Sequence, residues 1–135
     1  MGGRIPRNLG SYPFFNAYPH FCYNIFVVIK EKCYVVYLAM DCRRRHHRKY
    51  AGKWVIAFCI QLELFIDNNW FPVIRYDTSH GFAHRDYVHP DGGIEKTSIN
   101  IRSFNEALTF SEDDVKANWE LYREKFLKER EKRND

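Results

Sequence analysis

From Trp54 onward the chain alternates, with Phe58, Ile60, Leu62 and Leu64 interleaved with Cys59, Gln61 and Glu63. A period of two predicts a strand over 54–66 with one face toward a core and the other toward water. Asp67, Asn68 and Asn69 then supply a turn, and 70–77 resumes as a second strand, with Pro72 near its start favouring an edge position. Residues 78–83 read as an irregular connection and 85–89 as a short strand. Pro90-Asp91-Gly92-Gly93 reads as a tight turn, with glycine where a positive φ is needed, and 94–101 as a further strand. Successive strands joined by short turns make an antiparallel meander.

The period then changes. Val115, Trp119, Tyr122 and Phe126 recur at spacings of four, three and four, one apolar stripe along a helix over 112–131. Ser111 followed by Glu112, Asp113 and Asp114 reads as its start, the hydroxyl capping free N–H groups and the acids favoured by the helix dipole. Residues 104–110 read as a separate, shorter helix. The fold class predicted is α+β: a small antiparallel β-sheet, a meander, packed against a long C-terminal α-helix.

The first 40 residues differ in kind. Gly2, Gly3, Pro6, Gly10, Pro13 and Pro19 interrupt them, and no periodic element is visible before residue 21. The runs 21–29 and 33–38, rich in Val, Ile, Tyr and Phe and separated by Lys30-Glu31-Lys32, have the composition of a β-hairpin. The competing reading takes 1–40 as a non-native or disordered N-terminal extension, with initiation at Met40. The organisation expected is therefore an extension 1–40, a basic arm 41–53 and a single α+β domain over 54–135.

At 135 residues the chain has the size of one domain, and 17% aromatic content supplies a core. The net charge of +4 is concentrated in 41–53, where Arg43, Arg44, Arg45, Arg48, Lys49 and Lys53 face Asp41 alone. Such a segment binds polyanions by counterion release, so Arg43, Arg44, Arg45, Arg48 and Lys49 are the candidate nucleic-acid-binding residues. Only Tyr50 interleaves an aromatic with them, which leaves no basis for reading bases. Cys22, Cys33, Cys42 and Cys59 form no C-x-x-C pair and follow no secretory leader, which favours reduced thiols and a cytoplasmic setting. The apolar runs are far below the ~20 residues of a spanning helix, so no membrane partner is expected.

The candidate chemistry lies in Arg75-Tyr76-Asp77-Thr78-Ser79-His80-Gly81-Phe82-Ala83-His84-Arg85-Asp86-Tyr87-Val88-His89. Three explanations compete. In the first, His80 and His84 move protons on a phosphodiester, Asp77 or Asp86 orients an imidazole, and Arg75 or Arg85 stabilises negative charge. In the second, His80, His84 and His89 with an aspartate hold zinc or another divalent ion. The spacing H-x3-H-x4-H matches no zinc signature, so no metal site is assigned and the cofactor stays open. In the third, Arg75 with Asp86 or Arg85 with Asp77 form cross-strand ion pairs and the histidines are structural. Strand alternation constrains all three: Arg75 and Asp77 share a face, while His84 and Asp86 face opposite to Arg85, Tyr87 and His89. Bringing His80 over His84 requires the loop to bend at Gly81.

The residues Arg75-Tyr76-Asp77, His80-Gly81, His84-Arg85-Asp86 and His89-Pro90-Asp91-Gly92 resemble a family of small, functionally uncharacterised prokaryotic domains marked by R-[YF]-D-x2-H-G-x2-H-R-D-x2-H-P-D-G. The resemblance runs from about Arg43 to Phe126 and excludes the first 40 residues. More loosely, Arg75-x-Asp77 ahead of clustered histidines is similar to toxins of some bacterial and archaeal toxin–antitoxin pairs, with Thr78 standing where those have asparagine. That second resemblance implies RNA cleavage in a toxin-like role and, as partners, RNA and a small cognate antitoxin or DNA-binding protein. The alternative is a non-catalytic protein- or nucleic-acid-binding module, or a metal-binding domain with a structural histidine cluster.

Overall fold

A computed structural model describes residues 27–134 of the chain. The expected run 21–29 falls largely outside the described residues. Six strands follow one another, β1 (Ile29–Ala39), β2 (Cys42–Ala51), β3 (Trp54–Ile66), β4 (Asn69–Asp77), β5 (His84–Val88) and β6 (Ile94–Ser98), and one helix, α1 (Phe104–Asn134), closes the chain. The strands form one sheet in the order β1-β2-β3-β4-β5-β6, each antiparallel to the next. The α+β meander with a C-terminal helix is therefore the fold.

Local chemistry sets the turns. Asp67 and Asn68 take φ values of 50° and 64°, the left-handed pair that a two-residue hairpin between twisted strands requires. At the β5–β6 turn Gly92 has φ 88°, and its N–H donates to the His89 carbonyl at 2.9 Å.

The helix differs from expectation at its start. The two expected helices are one of 31 residues. Ser103 is the cap: its Oγ accepts the Glu106 N–H at 3.1 Å and its carbonyl accepts the Ala107 N–H at 2.9 Å. Ser111 sits inside the helix instead, its hydroxyl spent on the Ala107 carbonyl at 2.7 Å.

α1 lies across β3 and β4. Phe58, Ile60, Leu62 and Leu64 of β3 and Ile74 and Tyr76 of β4 are buried beneath Val115 and Phe126, with Trp119 and Tyr122 partly buried beside them. Phe126 meets Phe71 with ring centroids 6.5 Å apart. Polar ties fix the helix at both ends. Asn105 accepts the Val55 N–H at 2.9 Å and donates to the Lys53 carbonyl at 3.0 Å, while Arg130 donates to Asp67 at 2.7 Å. The helix thus covers one face of the sheet. No helix among the described residues is long and apolar enough to cross a membrane.

The segment before Trp54 departs from expectation. The basic arm 41–53 is largely β2, an interior strand held between β1 and β3. Its cations alternate: Arg44, His46 and Arg48 share the face of Leu62, Ile60 and Phe58, whereas Arg43, Arg45, His47 and Lys49 share the opposite one. Ile29–Ala39 runs unbroken through Lys30-Glu31-Lys32 and pairs with β2. An edge strand accommodates these charges because most of its side chains meet water. Met40, the expected boundary, is the tip of the β1–β2 turn and 97% exposed.

This arrangement makes a prediction about truncation. A chain beginning at Met40 should be less stable than one beginning at residue 27, by about 1–2 kcal/mol, and should melt at lower temperature, because it loses the Tyr34–His46 stack and the packing of Leu38. Equal melting curves would show that β1 adds nothing to the sheet.

Candidate functional site

The face of the sheet away from α1 carries the chemistry, and cross-strand register arranges it in rows. One row runs Val35, Arg45, Gln61, Arg75, Asp86, Lys96, and the next runs Cys33, His47, Cys59, Asp77, His84, Ser98, each residue opposite its neighbour on the adjacent strand. Strand alternation alone could not reveal these rows, since they depend on which strands pair and in what register.

At the β4–β5 end three groups converge. His84 Nε2 lies 3.0 Å from Asp77 Oδ1 and 3.7 Å from Asp86 Oδ1. Asp77 and His84 are register partners, and Asp86 follows His84 on the same face. His84 is 1% exposed and Asp86 4%. The loop 78–83 shields His84, whose ring centroid lies 5.5 Å from that of His80 and 5.6 Å from that of Phe82. The required bend is present, since Gly81 has φ 84° and donates to the Thr78 carbonyl at 3.0 Å.

Asp77 is held ready by its own loop. Its Oδ1 accepts the Ser79 N–H at 3.0 Å and the Ser79 hydroxyl at 2.8 Å. Burial, the largest single influence, pushes this carboxyl up, but the two Ser79 bonds together with His84 and Arg75 outweigh it and hold it below the ordinary range. Lys96 Nζ stands 3.3 Å from Asp86 Oδ1. That oxygen and His84 Nδ1 are both buried without a hydrogen-bond partner. Unmatched buried polar atoms are uncommon in folded proteins, and here they recur at Arg44, His46, Arg48 and Arg85.

The neighbouring row supplies positive charge. Arg75 Nε donates to Gln61 Oε1 at 2.8 Å, and Gln61 Nε2 donates to Glu63 Oε2 at 2.6 Å. Arg43 Nε donates to Glu63 Oε1 at 2.7 Å, while Arg45, 3.7 Å from the other oxygen, has a side chain 57% exposed. Cys59 lies in the row of Asp77 and His84, and burial, reinforced by Asp77, pushes its thiol up to about 11.

Not every expected residue joins this set. Arg85 turns to the helix face, where its Nη1 donates to the Tyr122 hydroxyl at 3.4 Å. His89 pairs with Glu129 at 2.7 Å and takes no part in the cluster, so the metal set of three histidines is not assembled. Arg44 and Arg48 leave the basic group as well, and Arg48 is bonded to Glu112 on α1. Of the nucleic-acid-binding candidates, Arg43, Arg45 and Lys49 remain on the open face. The expected cross-strand partners Arg75 and Asp86 are opposite each other in register, but Arg75 spends its Nε on Gln61.

Sequence reasoning missed the aromatics of this face. Arg43 stacks on Trp70 with its guanidinium carbon 3.9 Å from the ring centroid, and Tyr37 and Phe65 pack on the same indole at 6.0 Å and 5.0 Å. Tyr37 is 62% exposed. They come from β1, β3 and β4, so no local pattern announces them. An open pocket of about 590 Å³ lies over β1, β2 and β3, its lining including Cys33, Val35, Arg45, His47 and Gln61. A second group of potential metal ligands, Glu31, Cys33 and His47, borders it within 4.8 Å of one another and is largely exposed.

No curated protein and no solved structure matches this chain. A family model does, over residues 29–132, from the first residue of β1 almost to the end of α1. The matched segment includes the whole sheet and the open face it presents, and the chain belongs to that family, described as a domain of unknown function (DUF7718).

Proposed function

We propose that the open face binds RNA and cleaves a phosphodiester beside the Asp77–His84–Asp86 cluster. The observation that carries the reading is the cluster itself: an imidazole between two carboxylates at 3.0 Å and 3.7 Å, with buried unpartnered atoms, opening beside Arg75 and Lys96. Arg75 and Lys96, on either side of Asp86, hold the phosphate at the cluster, Arg45 meets the backbone further along the row, and the Tyr37–Phe65–Trp70 patch offers ring faces on which bases stack. His80 is exposed at the rim and takes the proton of the ribose 2′-hydroxyl. The 2′-oxygen then bonds to phosphorus as the 5′-oxygen leaves and takes a proton from solvent, giving a 2′,3′-cyclic phosphate and a 5′-hydroxyl. His84, buried under the loop, positions the two aspartates and is not a second proton donor.

The toxin-like role follows as the finer form of this reading, with a small antitoxin covering the same face. Purified protein incubated with RNA tests it, alongside growth on expression. His80→Ala should slow cleavage by ~10²–10⁴, the usual contribution of a positioned proton-transfer group. Tyr37→Ala should weaken RNA binding by about 1–3 kcal/mol. Wild-type rates in His80→Ala would remove the assigned chemistry. RNA binding without turnover would instead identify a non-catalytic nucleic-acid module, which the aromatic and basic groups of this face also suit.

A further inference from the structure

We propose that Asp77, His84 and Asp86 form a binding site for one divalent metal ion, of the hard-to-borderline kind that takes carboxylate and imidazole together. The inference deepens the reading of the open face as a phosphodiester site and stands on geometry of its own. Ligand atoms held at ~2.0–2.2 Å from an ion are about 3.0–3.5 Å apart when they occupy adjacent octahedral or tetrahedral positions. His84 Nε2 is 3.0 Å from one carboxylate oxygen and 3.7 Å from the other, and all three atoms lie within 4.8 Å of one another.

The second observation is the state of the ligands. Asp86 is 4% exposed, and its Oδ1, the oxygen that faces His84, has no hydrogen-bond partner. Leaving a buried carboxylate oxygen unmatched is expensive, and Lys96, 3.3 Å away with its side chain 44% exposed, offsets the charge without meeting hydrogen-bond geometry. An ion would supply what the oxygen lacks. Two bonds from Ser79, both to Oδ1, fix the orientation of Asp77, so an ion would be held through Oδ2 or in exchange for one of these bonds. All three side chains sit on two paired strands, so their spacing is set by the ladder and not by a loop.

Two carboxylates and one imidazole suit manganese or zinc better than a thiol-seeking ion. In the phosphodiester reading an ion held by Asp77, His84 and Asp86 would supply Lewis-acid stabilisation of negative charge on the phosphate. Glu31, Cys33 and His47 are the competing site, and manganese separates the two because it binds thiolate weakly.

The experiment follows the free Mn²⁺ resonance by electron paramagnetic resonance as the full chain is added without RNA. One equivalent should bind per chain. Asp86→Asn and Asp77→Asn should each weaken binding by more than the ~10–100-fold that loss of an outer-shell partner typically causes, and Cys33→Ser should bind as wild type does. A thermal melt of each variant, with and without Mn²⁺, separates a lost ligand from a lost fold: only wild type and Cys33→Ser should rise on adding metal. Wild type that leaves the Mn²⁺ signal unchanged, or Asp86→Asn that binds as tightly, overturns the site. Dependence on Cys33 places the ion at the other cluster and overturns it too. Cleavage of RNA that persists in chelator, with no Mn²⁺ bound, would end the metal proposal while leaving the RNA reading intact. Bound Mn²⁺ with no action on RNA would do the reverse.

Discussion

Asp114→Ala should destabilise the protein by about 3–5 kcal/mol, read as the shift in the midpoint of denaturant unfolding. Asp114 Oδ2 accepts the hydroxyls of Tyr76 and Tyr122, each at 2.6 Å, and Oδ1 accepts the Asn118 amide at 2.7 Å. Tyr76 is 1% exposed, so its hydroxyl has no route to water once the carboxylate is gone. Burial and the bond to Asp114 also push the Tyr76 phenol far up, which keeps it a donor at any working pH. Tyr122 is pushed up to about 12 by the same two influences. Asp114→Asn, which retains one acceptor oxygen, should lose less than the alanine variant. If both variants melt as wild type, the three bonds do not stabilise the contact of α1 with the sheet.

The second large effect is on acid stability. His46 is 3% exposed, its ring stacked on Tyr34 with centroids 4.4 Å apart, and neither ring nitrogen has a hydrogen-bond partner. Burial first, then the neighbouring charges of Arg44 and Arg48, push its pKa down to about 4. Glu112 of α1 is the facing acid, 4.0 Å from Nδ1, and Arg48 already engages it. The folded protein therefore keeps His46 neutral at a pH where the unfolded chain, with the ordinary value near 6.5, takes up a proton. Stability from this group is fully present above about pH 6.5 and is lost as pH falls toward 4, by about 3 kcal/mol in total. His46→Phe keeps the stack and removes the titration, so its stability should stay level across that window. The Asp77 carboxyl acts only below it, because its folded value is depressed from an already acidic one. Parallel acid slopes for His46→Phe and wild type would show that His46 is not the group being titrated.

Much of the sheet was legible because its signals are local. Alternation from Phe58 to Leu64 fixed the buried face of β3, and Asp67 and Asn68 announced a turn through their tolerance of positive φ. The stripe Val115, Trp119, Tyr122 and Phe126 identified the helix face that meets the core. The chain before Trp54 was misleading for an equally physical reason. Charge density in 41–53 resembles a solvated arm, yet an interior strand accepts cations when α1 and Glu63 supply their counter-charges, as Glu112 does for Arg48 and Glu63 for Arg43. Lys30 and Lys32 resemble a turn and instead lie within the strand at the edge of the sheet among the described residues.

The site divides along the same line. Sequence by itself placed histidines, aspartates and arginines of one short segment around the ends of two strands, because alternation separates His84 and Asp86 from Arg85 and Gly81 permits the bend. Only the tertiary structure decided which of them meet. Pairing of β4 with β5 put Asp77 opposite His84, packing of α1 drew Arg85 toward Tyr122 and His89 toward Glu129, and pairing of β1 through β4 gathered Arg45, Gln61 and Trp70 onto the same open face. Register and helix docking are long-range choices settled by the burial of the whole core, and no single segment of the chain encodes them.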